Sequence, residues 1–222
     1  MNTAEKFLLL IQHPEKSRYI FPFRGRDAGF IGAILLDLLH DGAIDVENGR
    51  LIMQSTDTSL SAAHSQVLDQ IRGSARTRKV KTWIMRLSRK SRRYIREIQG
   101  GFESKKMIRL EHKKFLAFRY FKSKLMRPDI RKQIIYDIRD QLFHPKPVSE
   151  EKSLILAVID ACGLYSLICR DRQERKACRR RIREIMKTDD VSRGVSHAIQ
   201  QTHAAMVAAV AASRAAAVAA AT

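Results

Sequence analysis

The sequence predicts an all-α fold, a mainly helical single domain carrying two small β-hairpins. Three observations predict it. Apolar residues recur at helical spacing over most of the 222-residue chain. Two stretches, Ala43–Met53 and Met107–Phe121, read instead as strands that turn back on themselves. Hydrophobic residues are 45% and charged residues 29%, the balance of a chain that buries a core without staples.

Each element has its own signal. Thr3 to Ile11 reads as a short helix with Thr3 as its cap. His13 to Arg26 holds Pro14, Pro22, Gly25 and the aromatics Tyr19, Phe21 and Phe23, and reads as a loop with a short extended piece. Asp27 caps a helix to Leu39, with Phe30, Ile34 and Leu38 at helical spacing and Gly42 as its stop. Ile44 and Val46 alternate with polar residues, Asn48-Gly49 is a type I′ turn signal, and Leu51 to Met53 return. Ser59–Arg72, Val80–Leu87 and Arg92–Phe102 read as helices. In the second hairpin Met107, Ile108 and Leu110 lead to a charged tip, Glu111 to Lys114, and an aromatic return strand. Pro128 starts an amphipathic helix, and Pro145 and Pro147 follow as a break. Ser149–Leu167, Asp171–Met186 and Val191 to about Ala212 complete the set. Residues 3–213 are expected to form the domain, and 214–222 an alanine-rich tail.

Several function classes are disfavoured. The opening MNTAEKFLLL carries Glu5 and is not a signal peptide. No segment has the length and apolarity of a membrane span. Three cysteines, Cys162, Cys169 and Cys178, with no CxxC pair, argue for reduced thiols and against zinc. The seven histidines show no ligand spacing. No Gly-rich phosphate loop, HExxH or GxSxG occurs, so no enzyme activity and no cofactor are expected.

Charge is the strongest functional signal. The formal net charge is +19. Residues 1–71 are net −3, residues 72–139 net +18 and residues 140–222 net +4. From Arg72 to Arg96 there are eleven Lys or Arg and no acid. So concentrated a block points to an anionic partner, and phosphate is common to the candidates: lipid headgroups, DNA or RNA.

Six segments in order resemble one family. They are MNTAEKFLLLIQHPEKSRY, AGFIGAILLDLLHDGAIDVENGRLI, VKTWIMRL, KKFLAFRYF with RPDIRKQI, SLILAVIDACGLYSLICR, and CRRRIREIMK with the late alanine-rich helix. Over residues 3–213 the chain resembles the Golgi phosphoprotein 3 family, in a short form expected of a prokaryotic-type member. The resemblance implies a helical body with a flat basic face on the membrane, binding phosphatidylinositol 4-phosphate or a related phospholipid. It also implies a cytoplasmic, peripherally membrane-associated protein, on Golgi membranes if the source is eukaryotic. The family pocket uses two basic residues three apart on a helix; Arg93 and Arg96 keep that spacing, beside Arg92. The family's pocket Arg falls here at Ile31, and its pocket Trp near Pro22, between Phe21 and Phe23. Arg24 and Arg26 are near enough to substitute as headgroup ligands. A family hairpin that inserts into lipid, or mediates homo-oligomer contacts, corresponds to Lys113, Lys114, Phe115, Leu116, Phe118 and Phe121. The competing reading is a nucleic-acid-binding protein in which the helix and the Ile44–Met53 hairpin form a winged-helix-like unit. A structural oligomer closed by the aromatic hairpin is a third reading.

Overall fold

The chain opens on a capped helix. Asn2 Oδ1 accepts from Glu5 N (2.8 Å) and Glu5 Oε2 accepts from Asn2 N (3.1 Å), a capping box that starts α1 (Thr3–Ile11). The cap is therefore Asn2, whose backbone is extended, and not Thr3, which is the first helical residue and whose amide donates to Asp37 (2.8 Å). The computed structural model describes residues 1–21, 23–54, 59–115, 118–144, 150–186 and 193–219, with side chains outside 23–24, 112–121, 193–200 and 217.

The central element is α2 (Phe23–His40), buried at every described side chain from Gly25 to Leu39. It begins before Asp27, which lies inside its first turns and pairs with Arg26 (3.0 Å) rather than capping it. Phe21 packs over Gly25, where the lack of a side chain leaves room for the ring. Gly42, at φ +69°, ends the helix as expected, and its amide reaches back to Leu39 O (3.1 Å). Next come β1 (Ile44–Glu47) and β2 (Arg50–Met53), joined by Asn48-Gly49, both at positive φ.

Three helices follow: α3 (Ala62–Arg72), α4 (Val80–Ser88) and α5 (Ser91–Ser104). Strands β3 (Ile108–Phe115) and β4 (Phe118–Leu125) pair antiparallel, from Ile108 opposite Leu125 to Phe115 opposite Phe118. Glu111 to Lys114 are therefore not a tip. They sit inside β3, opposite Arg119 to Lys122. Neither segment carries Gly, Asn or Pro, so charge was the only turn cue, and charge is as common on an exposed ribbon.

After α6 (Pro128–Phe143) comes α7 (Glu150–Cys162), which stops at Gly163 (φ +65°) instead of continuing to Leu167. Leu164–Leu167 form a 3-10 turn. Asp171 then caps α8 (Arg172–Ile185) through the amides of Gln173 and Glu174. The last helix, α9 (Arg193–Ala219), extends past Ala212.

Helices α1, α3, α4, α5, α7 and α9 all pack on α2, so one core runs through the domain. Polar ties hold the outer elements. Gln12 and Ser123 exchange two hydrogen bonds (2.7 and 2.8 Å), joining α1 to β4. Arg139 on α6 reaches Ile168 O and Glu174, both at 2.6 Å. Among the described residues no helix is long and apolar enough to cross a membrane.

Candidate functional site

The basic block folds into two short amphipathic helices. On α4 the buried side chains are Val80, Trp83, Ile84 and Leu87, leaving Lys81, Met85 and Arg86 exposed. On α5 the buried set is Ser91, Tyr94, Ile95, Ile98, Gln99 and Phe102, and Arg92, Arg93 and Arg96 are exposed. The 3.6-residue period that places the apolar stripe on the core therefore turns these cations outward. Arg89 and Lys90, between the helices, are exposed too.

The start of α5 meets the start of α2. Arg26 donates to Asp27 Oδ1 through Nε and Nη2 (3.0 Å each) and lies 4.8 Å from the Tyr19 ring centre. Gln99 Nε2 donates to Tyr19 Oη (2.9 Å). Burial pushes the Asp27 carboxyl above its ordinary range. Arg26 and a hydrogen bond with Ser91 offset part of that, and Arg92 adds a weaker pull. The loop, α2 and α5 thus share one polar network, with Arg92 at its edge and Arg93 and Arg96 beyond.

The residues singled out from sequence fall in different places. Arg26 is 9% exposed, so its guanidinium organises the network from inside. Phe21 is also buried, beneath Arg214 at 5.4 Å. Ile31 is a fully buried core residue. The side chains of Phe23, Arg24, Lys113, Lys114, Phe115, Phe118 and Phe121, and the whole of Pro22 and Leu116, lie outside the described residues. Tyr19, Asp27, Ser91 and Gln99 were not picked from sequence as site residues. The nearest signal was the adjacent opposite charges of Arg26 and Asp27.

A model of one family, described as Golgi phosphoprotein 3 (GPP34), matches residues 4–202, nearly the whole chain. The chain belongs to the Golgi phosphoprotein 3 family. No curated protein sequence matches it. The family match spans α1 to the first third of α9, so it includes α4, α5 and the β3–β4 hairpin.

Other polar clusters in this Golgi phosphoprotein 3 family member hold the fold together. Ser61, His64 and Asp37 form a row (2.6 and 3.0 Å), but Asp37 also accepts from the amides of Thr3 and Ala4. The row ties α3 and the start of α1 to α2. The three cysteines are buried and free, and burial raises all three thiols, Cys162 to about 12. They are neutral at neutral pH and poor nucleophiles. Among the described residues no group of His, Cys, Asp and Glu is placed to hold a metal ion.

Proposed function

We propose that this protein is a non-enzymatic peripheral membrane protein that docks on anionic lipid headgroups through the exposed face of α4 and α5. The preferred ligand in this reading is phosphatidylinositol 4-phosphate or a related phospholipid, with Arg92, Arg93 and Arg96 at the headgroup. The observation that carries it is the segregation on these two helices. Apart from Met85, their large apolar residues are buried, and their cations, from a stretch without acids, face outward. Exposed Met85 between Lys81 and Arg86 gives α4 an apolar point of entry ringed by charge. Strand β3 packs beside α5, and in this reading the β3–β4 hairpin is part of the same docking surface. Each cation near an anionic surface contributes about 1 kcal/mol, so six give roughly 6 kcal/mol, enough for reversible attachment. The attached protein is then cytoplasmic and peripheral, at the Golgi where the cell has one.

The nucleic-acid reading fits less well. Its reading helix would be α2, and α2 is the buried centre of the fold.

Liposome co-sedimentation tests the proposal, comparing phosphatidylinositol 4-phosphate with phosphatidylserine at matched surface charge. The expected result is stronger binding to the phosphoinositide. Arg93→Ala with Arg96→Ala should weaken binding roughly thirtyfold, from the loss of about 2 kcal/mol, with a stability change within about 0.5 kcal/mol. Binding equal to the parent would remove these two residues from the site. Equal binding to both lipids would leave a basic surface without a headgroup pocket.

A further inference from the structure

Helix α8 carries a second concentration of charge that the α4–α5 face does not use. It holds seven Lys or Arg against Glu174 and Glu184. Lys176, Arg179, Arg180 and Arg183 follow i, i+3, i+4, i+7 spacing and form one stripe. With Glu184 they line a shallow cavity of about 400 Å³.

This arrangement works against the helix. Like charges three and four residues apart repel, and Arg172 and Arg175 sit in the first turn, at the positive end of the helix dipole. Packing does not require these cations, because the buried residues of α8 are Cys178 and Ile182. The acids relieve little of the repulsion. Glu174 is held by Arg139 (2.6 Å) and the Arg170 amide, and Glu184 serves Arg180 (3.7 Å) and Arg181 (3.5 Å). Lys176 makes no ion pair among the described residues, and Arg183 feels the Asp160 carboxylate only from beyond ion-pair distance. Arg179 is held in place, 5.0 Å from the Tyr165 ring centre, while the Tyr165 hydroxyl donates to Asp160 and His203 on α9 anchors that carboxylate at 2.8 Å.

We propose that this stripe is an anion site independent of the α4–α5 face, and that it takes a soluble, multiply charged phosphate such as a diphosphate or triphosphate group. Guanidinium forks match phosphate oxygens two at a time, and the cavity is of small-molecule size. A soluble ligand fits better than a bilayer. An interfacial helix needs an apolar face, and the exposed residues of α8 include no large apolar side chain. The two basic helices also pack on different partners. α8 rests on α7, α6 and the 3-10 turn, whereas α5 rests on α3, α2 and β3.

Isothermal titration calorimetry with inorganic pyrophosphate, in about 0.15 M salt to screen diffuse attraction, tests this. The parent should bind with a saturable isotherm. Arg179→Gln with Arg183→Gln should weaken binding about a hundredfold, as expected for two lost charge-assisted hydrogen bonds. Lys176→Gln with Arg183→Gln, which leaves the Arg179–Tyr165 contact untouched, should weaken it at least tenfold. Arg93→Ala with Arg96→Ala should leave pyrophosphate binding unchanged, which separates this site from vesicle docking. Absence of a saturable isotherm in the parent would overturn the proposal. So would loss of pyrophosphate binding in the α5 variant alone. If the α8 variants bound pyrophosphate normally but lost phosphatidic acid vesicles, the stripe would be a membrane element instead.

Discussion

Asp37 shows how much one side chain can organise. Its two carboxylate oxygens accept from the Thr3 amide, the Ala4 amide and His64 Nε2, at 2.8 to 3.0 Å. It is 5% exposed, so water cannot replace these partners. Asp37→Ala strands two buried amides and an imidazole. The expected loss of stability is roughly 3 kcal/mol, since each orphaned buried donor costs about 1–3 kcal/mol. Asp37→Asn keeps one oxygen and should lose less. Urea denaturation measures both, and a loss under about 1 kcal/mol for the alanine variant would mean the amides find other partners. Arg93 and Arg96 behave oppositely. They are exposed, so removing them should register mainly in vesicle binding, with a stability change within about 0.5 kcal/mol. That contrast was half legible beforehand. The spacing of the two arginines is read directly from sequence, while the retreat of Arg26 into a pair with Asp27 depends on a helix start and a Tyr19 ring that only folding brings together.

At the scale of elements, α2 lies tightly against α9. A methyl group on Gly32 would overlap Met206 Sδ and crowd its Cγ, and Met206 is fully buried, so its side chain must repack within the core to yield. Gly32→Ala should therefore destabilise by about 1–3 kcal/mol. Gly100 on α5 is the control, because a methyl there meets nothing within 4 Å. Gly100→Ala should stabilise by about 0.5–1 kcal/mol through helix propensity. Thermal unfolding of the pair should thus shift in opposite directions; a shift of the same sign would refute the packing argument. Boundaries were less legible than the elements themselves. The Asn48-Gly49 turn and the Gly42 stop follow from backbone chemistry within a few residues. The break at Gly163 and the turn position of the second hairpin do not, because each is set by what the segment pairs with.

Across the whole molecule, the charge is concentrated in one part of the chain, while the core draws on all of it. Residues 1–71, net −3, supply α1, α2 and much of the core, while residues 72–139, net +18, supply the outward-facing α4 and α5. A surface field of this kind is sensitive to salt. Vesicle binding should fall at least tenfold when salt is raised from about 0.1 M to about 1 M, as the screening length shrinks from about 10 Å to about 3 Å. Sedimentation across that range checks it, and salt-independent binding would point to apolar insertion in place of headgroup attraction. The sequence by itself determined the mainly helical class, the two hairpins and the location of the charge, because period, turn chemistry and composition are local properties. It also carried the family, through the order of its segments. Only the tertiary structure decided which cations face outward, that α2 is the buried centre and that the starts of α2 and α5 share one polar network. Those depend on contacts between residues distant in sequence, and burial is a property of the packed whole.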